Sequence, residues 1–382
     1  MLRNDVVAPK KVTLVPNRIL SRKSKAISRR SNKQGPVQAT FSVAPPMDAS
    51  SIPAHLTQVR RTSVNVPTVT PTRAPSQQQP TGLLAYELIR GALVRFSETR
   101  NRHPPTAVLI HGILGSKRNM QSFARRLVAG FPSWQVLMVD LRCHGESAEV
   151  RLDGPPTVGT AAMDVLRLLS ALKLFPEVLI GHLFGGKVVM SMAHQFGGQA
   201  GRLPRPVKVW VLDALPGEVR SGEMGATDRP ADLITTLQRI PLPISSRGEL
   251  VSWLESAGFS LPVASWTAQN LAPIKSGHGL TWSFDLKGIA SMYASYESTD
   301  LWPLLASPAE GIQLSFVKAE RSTFRWGGGD EDRILSLGHA VHCLPNSGHW
   351  VHSDNPDGLF DILAPSFGGA PDLRMQRSYR HG

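Results

Sequence analysis

Three short loops carry the side chains able to do chemistry, and each is expected directly after a β-strand. The first is Gly181-His182-Leu183-Phe184-Gly185-Gly186-Lys187, which joins the apolar run Val178 to Ile180 to a helical stretch. Glycines on either side of a central residue permit the strained strand-to-helix turn of G-x-S-x-G, which lifts a nucleophilic serine above a sheet. The central residue here is Leu183. Leucine has no nucleophilic atom and no proton to give, so no covalent mechanism can start from it. The backbone N–H of Phe184 would still point to where an oxyanion sits.

The second loop, His111-Gly112-Ile113-Leu114-Gly115-Ser116, follows the run Thr106 to Ile110. A glycine beside a histidine at a strand end lets the backbone turn and expose amides, and the N–H of Ile113 becomes a second candidate oxyanion donor. The third, Asn346-Ser347-Gly348-His349-Trp350-Val351-His352, comes late in the chain and follows the last strand. From it His349 can swing over the sheet end as a general base, with His352 a bystander. An acid must fix its tautomer. Asp213, after Val207 to Leu212, is the first choice, and Glu320, after Ile312 to Val317, is the alternative. Either gives the chain order of elbow, acid and histidine. Asp140 is expected to organise its own turn and Arg142. Ser147 and Ser191 are poor substitutes for a nucleophile, the first belonging to that turn and the second lying two helical turns past Leu183.

The elements that must position these loops can be read from hydrophobic periodicity. Leu84 to Ile89 and Leu93 to Phe96, split by Arg90-Gly91, read as a hairpin. Thr106 to Ile110, Trp134 to Val139, Val178 to Ile180 and Val207 to Leu212 read as buried strands. Asn119 to Ala129, Thr157 to Leu172 and Lys187 to Gln195 between them read as helices. That alternation predicts an α/β fold with a mostly parallel sheet flanked by helices. From 217 to about 305 the rhythm breaks into helical patterns (Ala231 to Arg239, Gly248 to Gly258, Pro262 to Leu271, Leu286 to Tyr296). It resumes with Ile312 to Val317 and Ala340 to Leu344. The interruption is expected to be a helical cap set into one domain spanning 81–370, followed by a tail over 371–382.

Charge is divided unevenly along the 382 residues. The formal net charge is +13, but residues 1–82 hold 13 basic and 2 acidic side chains, leaving 29 and 27 for the remainder. The nearly neutral remainder argues against a nucleic-acid-binding domain. The first 80 residues, rich in Arg, Lys, Ser, Thr and Pro, with no Trp or Tyr, cannot bury enough apolar surface to fold alone. They have the profile of a transit peptide and linker, with plastid the first destination and mitochondrion the second. No run approaches the 18 or so apolar residues of a membrane span. Cys143 and Cys343 are isolated and lack metal spacing, so buried free thiols in a reducing compartment are expected. No metal or cofactor is called for.

HGILGSKRN, DLRCHGES, GHLFGGKVV, VLDALPG and NSGHWVHSDNPDGLF together resemble the α/β-hydrolase superfamily, in particular its small-esterase branch with HGxxGSxxN, GHSxGGK and GHWxH motifs. Plant organellar members look nearest. The resemblance covers 83–366 and implies hydrolysis of carboxylic esters or thioesters by serine, histidine and acid under a helical cap that selects the acyl chain. Leu183 departs from it at the nucleophile. A further departure is Lys287, which follows Trp282-Ser283-Phe284-Asp285-Leu286 where some members place an acid. Three functions are therefore open: a hydrolase-lineage protein impaired by Leu183, a non-catalytic binder of a small acyl ligand or partner protein in a capped apolar pocket, or a His349–Asp213 general-base pair.

Overall fold

A computed structural model of the chain describes residues 82–94, 104–199, 207–219, 228–275, 277–322, 326–327 and 329–368, all within the compact unit Val66–Gly382. The expected leader over 1–80 and the tail beyond 371 lie outside the described residues.

Strand β1 (Tyr86–Arg90) runs antiparallel to β3 (Gln135–Val139), whereas β2 (Thr106–Ile110), β4 (Pro176–His182), β5 (Val207–Leu212), β8 (Ile312–Ala319) and β9 (Ala340–Leu344) continue the sheet in parallel. Its order is β1-β3-β2-β4-β5-β8-β9. Alternate strand residues face opposite layers. Val108, Ile110, Leu137 and Val139 pack with α2 (Val158–Ala171) and α3 (Phe184–Gln199). Ala107, Leu109, Val136 and Met138 pack instead with α1 (Lys117–Gly130) and α11 (Pro356–Leu363). Because both faces are covered, β2 and β3 are buried throughout, which is why they read in the sequence as unbroken apolar runs. The connection from β2 leads to β3 on one side, and the chain then returns to β4 on the other. The crevice between the carboxyl ends of β2 and β4 is thus the topological switch point, where ligands gather in such sheets.

The expected hairpin is not formed among the described residues. β1 takes β3 as its partner, with Tyr86 opposite Val139, and the chain after Arg90 stays along the start of β3 through Gly91 N–H to Trp134 O and Leu93 N–H to Pro132 O. Leu93 is exposed in a turn rather than in a second strand.

Between β5 and β8 stands the helical insertion. Its helices α4 (Pro230–Arg239), α5 (Arg247–Ser256), α6 (Leu261–Ala268), α7 (Leu286–Ser298) and α8 (Trp302–Ala306) begin at local stop-and-start signals. Pro230 opens α4, and Ser246, Ser260 and Asp285 cap the N-termini of α5, α6 and α7 with their side chains. A two-stranded ribbon, β6 (Leu271–Pro273) with β7 (Leu280–Trp282), falls partly where helix was expected through Leu271. Three-residue strands are too short to show a period. Two small helices, α9 (Asp330–Ser336) and α10 (Val351–Asp354), flank β9. No helix of the described residues is long and apolar enough to cross a membrane, and they hold no cluster of His, Cys, Asp or Glu arranged for a metal.

Candidate active site

Leu183 sits at the apex of the turn from β4 to α3 with φ +50°, in the left-handed region, and is buried. Such a backbone costs a leucine roughly 1–2 kcal/mol, and the surroundings enforce it. Leu183 N–H donates to Leu212 O at 3.0 Å, and Gly186 N–H to Leu183 O at 2.9 Å. The turn packs so closely on β2 that a Cβ on Gly185 would lie 2.5 Å from Ile110 O and 2.6 Å from His111 O, and one on Gly181 would collide with the Gly185 carbonyl. Gly185→Ala is expected to lose at least about 2 kcal/mol in a urea unfolding curve, the scale of overpacking against immobile backbone. An unchanged midpoint would mean that the two segments can part without cost.

Asp213 and His349 meet. β5 delivers Asp213, also left-handed at φ +47°, and His349 Nδ1–H donates to its Oδ2 at 2.8 Å. The same Oδ2 accepts from the Ser322 hydroxyl at 2.8 Å, and Oδ1 accepts from Ala319 N–H at 3.2 Å. The carboxylate is fully buried, so these donors replace its water. With a proton fixed on Nδ1, the basic lone pair of His349 lies on Nε2. Glu320 is not brought to the histidine: it is exposed and accepts from Asn346 N–H at 2.7 Å, closing the turn on the neighbouring strand. Ser322 has no motif to announce it, since it lies three residues past β8 in an unpatterned loop.

His182 holds the histidine loop to the elbow. Its Nε2–H donates to the His349 carbonyl at 2.8 Å, and its ring lies 4.6 Å from that of His349 and 5.2 Å from that of His352. Burial, with the His349 and His352 imidazoles nearby, keeps His182 neutral well below its usual pKa. His352 is not a surface bystander. It is 6% exposed, its Nδ1 has no hydrogen-bond partner, and burial, together with His349, lowers its pKa to about 4.

The loop after β2 is fixed peptide by peptide. His111 Nδ1–H donates to Gly112 O at 2.7 Å, and its Nε2 accepts from Leu141 N–H at 3.1 Å. His144 answers from the neighbouring loop, accepting Leu114 N–H at 3.0 Å while its Nδ1–H donates to Arg142 O at 2.8 Å. Gly115 N–H also bonds Gly112 O, and the cap reaches down through Asn270, which donates to Leu114 O at 3.0 Å. These contacts set the direction of the Ile113 N–H. Burial, with His111 beside it, pushes His144 down to about 3, and burial also lowers His111.

Asp140 accepts from Lys117 N–H at 2.7 Å, Lys117 Nζ at 2.6 Å and Glu146 N–H at 3.0 Å, so it does organise its turn. Arg142 pairs with the buried Asp164 at 2.6 Å rather than with Asp140. Ser147 bridges Ala85 N–H and Asp140 O, and Ser191 lies on α3 beside Gln195. Neither lines the cavity described below. Lys287 is exposed in the first turn of α7, whose N-cap is Asp285. Cys143 is half-buried, its thiol raised to about 11 by burial and Asp285, while Cys343 is exposed because β9 is the sheet's uncovered edge; the expectation of two buried thiols is corrected for Cys343.

Above these loops lies a cavity of about 760 Å³. Leu183, Ile113 and His349 form part of its floor, and Leu233, Val263 and Trp266 of the cap form part of its roof. Trp266 approaches Trp350 across it at 5.9 Å.

A sheet that switches direction at a glycine elbow, followed in chain order by an acid and a histidine and roofed by a helical insertion, defines the α/β-hydrolase class. The chain belongs to the alpha/beta hydrolase family, whose model matches residues 107–362. It is 43% identical over 269 residues to the sn-1-specific diacylglycerol lipase ABHD11 of Xenopus tropicalis, covering 68% of this chain and 76% of that protein. It is 23% identical over 272 residues to Esterase YbfF of Escherichia coli, covering 71% and 96%. Among solved structures, a marine microorganism esterase superposes with a TM-score of 0.58 over 75% of this chain and 99% of its own, at 19% identity, a likeness of fold.

Proposed function

We propose that this chain is an ester-hydrolase relative whose catalysis is impaired at the elbow, and that its capped pocket binds a carboxylic ester or thioester without forming an acyl-enzyme. One observation carries the reading: Leu183 occupies the apex above a complete Asp213–His349 pair. Loss of the nucleophile from a serine hydrolase costs on the order of a million-fold in turnover and leaves roughly a thousand-fold over water from oxyanion donors and binding. The lipase and esterase names of relatives support an acyl ester as the ligand class.

The test is a fluorophosphonate probe applied to the full chain beside a p-nitrophenyl butyrate assay. Neither covalent labelling nor turnover above that of free imidazole is expected. Labelling at any residue would overturn the reading. The intact Asp213–His349 hydrogen bond favours one second reading, in which His349 acts as a general base on bound water. That reading requires slow turnover that His349→Ala abolishes.

A further inference from the structure

Lys187 ends the glycine-rich elbow motif, yet it does not line the cavity. It lies on the first turn of α3 and is completely buried. Its ammonium donates to Gly217 O at 2.6 Å, Tyr296 O at 2.6 Å and Thr299 O at 2.9 Å, and it stands 4.4 Å from the centroid of the Tyr296 ring. Gly217 lies where the chain passes from β5 into the cap, and Tyr296 and Thr299 lie at the end of α7, from which α8 carries the chain on to β8.

One ammonium thus ties the start of the cap to the end of α7. Two of the acceptors are carbonyls at the C-terminus of α7, where a helix leaves its last C=O groups unpaired and carries partial negative charge. That negative end and the face of an aromatic ring are what make a buried cation tolerable there. A neutral side chain of equal length would fill the space and leave three buried carbonyls without this donor.

We propose that Lys187 is a positioning residue that pins the cap's two roots to the elbow helix and so controls how fast ligand enters and leaves the pocket. The cap forms the cavity roof through Leu233, Val263 and Trp266, so roots that slip on α3 open the roof over Leu183 and His349. The same pin explains why an elbow without a nucleophile keeps its lysine: the lysine serves the cap and not the bond-breaking step. The ligand readout rests on the proposed ester-binding pocket, whereas the backbone readout does not.

Octyl acetate serves as the ligand probe, with stopped-flow quenching of the Trp266 and Trp350 fluorescence as signal and Trp266→Phe as control. In Lys187→Met the association and dissociation rates should each rise at least tenfold while Kd changes less than threefold. A lysine that merely stabilises the fold would lower the melting temperature and leave both rates in place, and that result overturns the proposal. Hydrogen exchange on the unmodified chain decides the matter if the variant does not fold. Amides at 217–219 and 296–299 should be as protected as those of α3, and faster exchange there, matching α5 and α6, would refute the pin. If octyl acetate does not bind the unmodified chain, the ester-pocket reading fails while exchange at the cap roots still tests Lys187.

Discussion

Leu183→Ser turns over p-nitrophenyl butyrate at least about a thousand-fold faster than the unmodified chain, with up to a million-fold available from a nucleophile restored to a working site. The large gain is expected because, among the described residues, an acid and a histidine already stand together beside the elbow. The backbone at 183 already has the elbow conformation, with φ +50°, and the His349–Asp213 bond is 2.8 Å long. His111, His144 and Asn270 hold the loop that bears Ile113 N–H. The substitution has its own cost. Leu183 is 4% exposed, and losing its burial removes roughly 2 kcal/mol of stability. A variant that melts a few degrees lower yet hydrolyses esters and takes the fluorophosphonate label at residue 183 is the expected outcome. A folded variant without turnover would place the impairment in the oxyanion donors or the histidine, not in the missing hydroxyl.

Acid unfolds this domain earlier and more steeply than carboxylate protonation alone would. His111, His144, His182 and His352 are each buried and each held below the ordinary imidazole pKa of 6.5, His144 at about 3 and His352 at about 4. Burial is the main cause in each, and neutral His111 and His144 rings also accept Leu141 N–H and Leu114 N–H, which protonated rings could not do. Since the folded pKa is depressed, the unfolded chain binds protons that the folded one refuses. Stability is fully present above about pH 6.5 and falls as pH drops toward 4 and 3. Each such histidine contributes up to about 1.4 kcal/mol per pH unit in that window. Even half of the combined slope exhausts the roughly 5–15 kcal/mol of a typical domain within a few pH units. The discriminating variant is His352→Phe, which removes a buried Nδ1 that has no partner. Its acid midpoint, followed by tryptophan fluorescence, should move to lower pH with no loss of stability at pH 7.5. A midpoint that stays or rises would mean that His352 carries a charge in the folded state.

Much of this architecture was written in the sequence, and the exceptions have physical causes. β2 and β5 begin and end where the apolar runs do, because buried parallel strands need nearly continuous apolar side chains and their ends are set by polar loops; edge strand β9 also matches its run, although it is only partly buried. The elbow was legible because its glycines are enforced by backbone contact. The acid was legible only as a pair of alternatives, since Asp213 and Glu320 both end strands and the choice depends on which strand end His349 faces. The false hairpin shows the opposite case: β1 pairs with a strand about 50 residues later, and local pattern cannot report a distant partner. Ser322, Asn270 and Lys187 were illegible as partners because they bind a carboxylate or backbone carbonyls through single side chains in no repeating pattern.

The Lys187 ammonium also measures the cap as a module. Gly217 O and Thr299 O meet the same nitrogen, so these two carbonyl oxygens, at the start of the cap and the end of α7, stand no farther apart than two residues of extended chain. The segment between them can lengthen, shorten or be exchanged without changing the register of any strand, because the crossover to β8, which lies parallel to β5, is made afterwards through α8. In this fold the roof of the cavity is therefore free to diverge separately from the strand ends that carry Leu183 and Asp213.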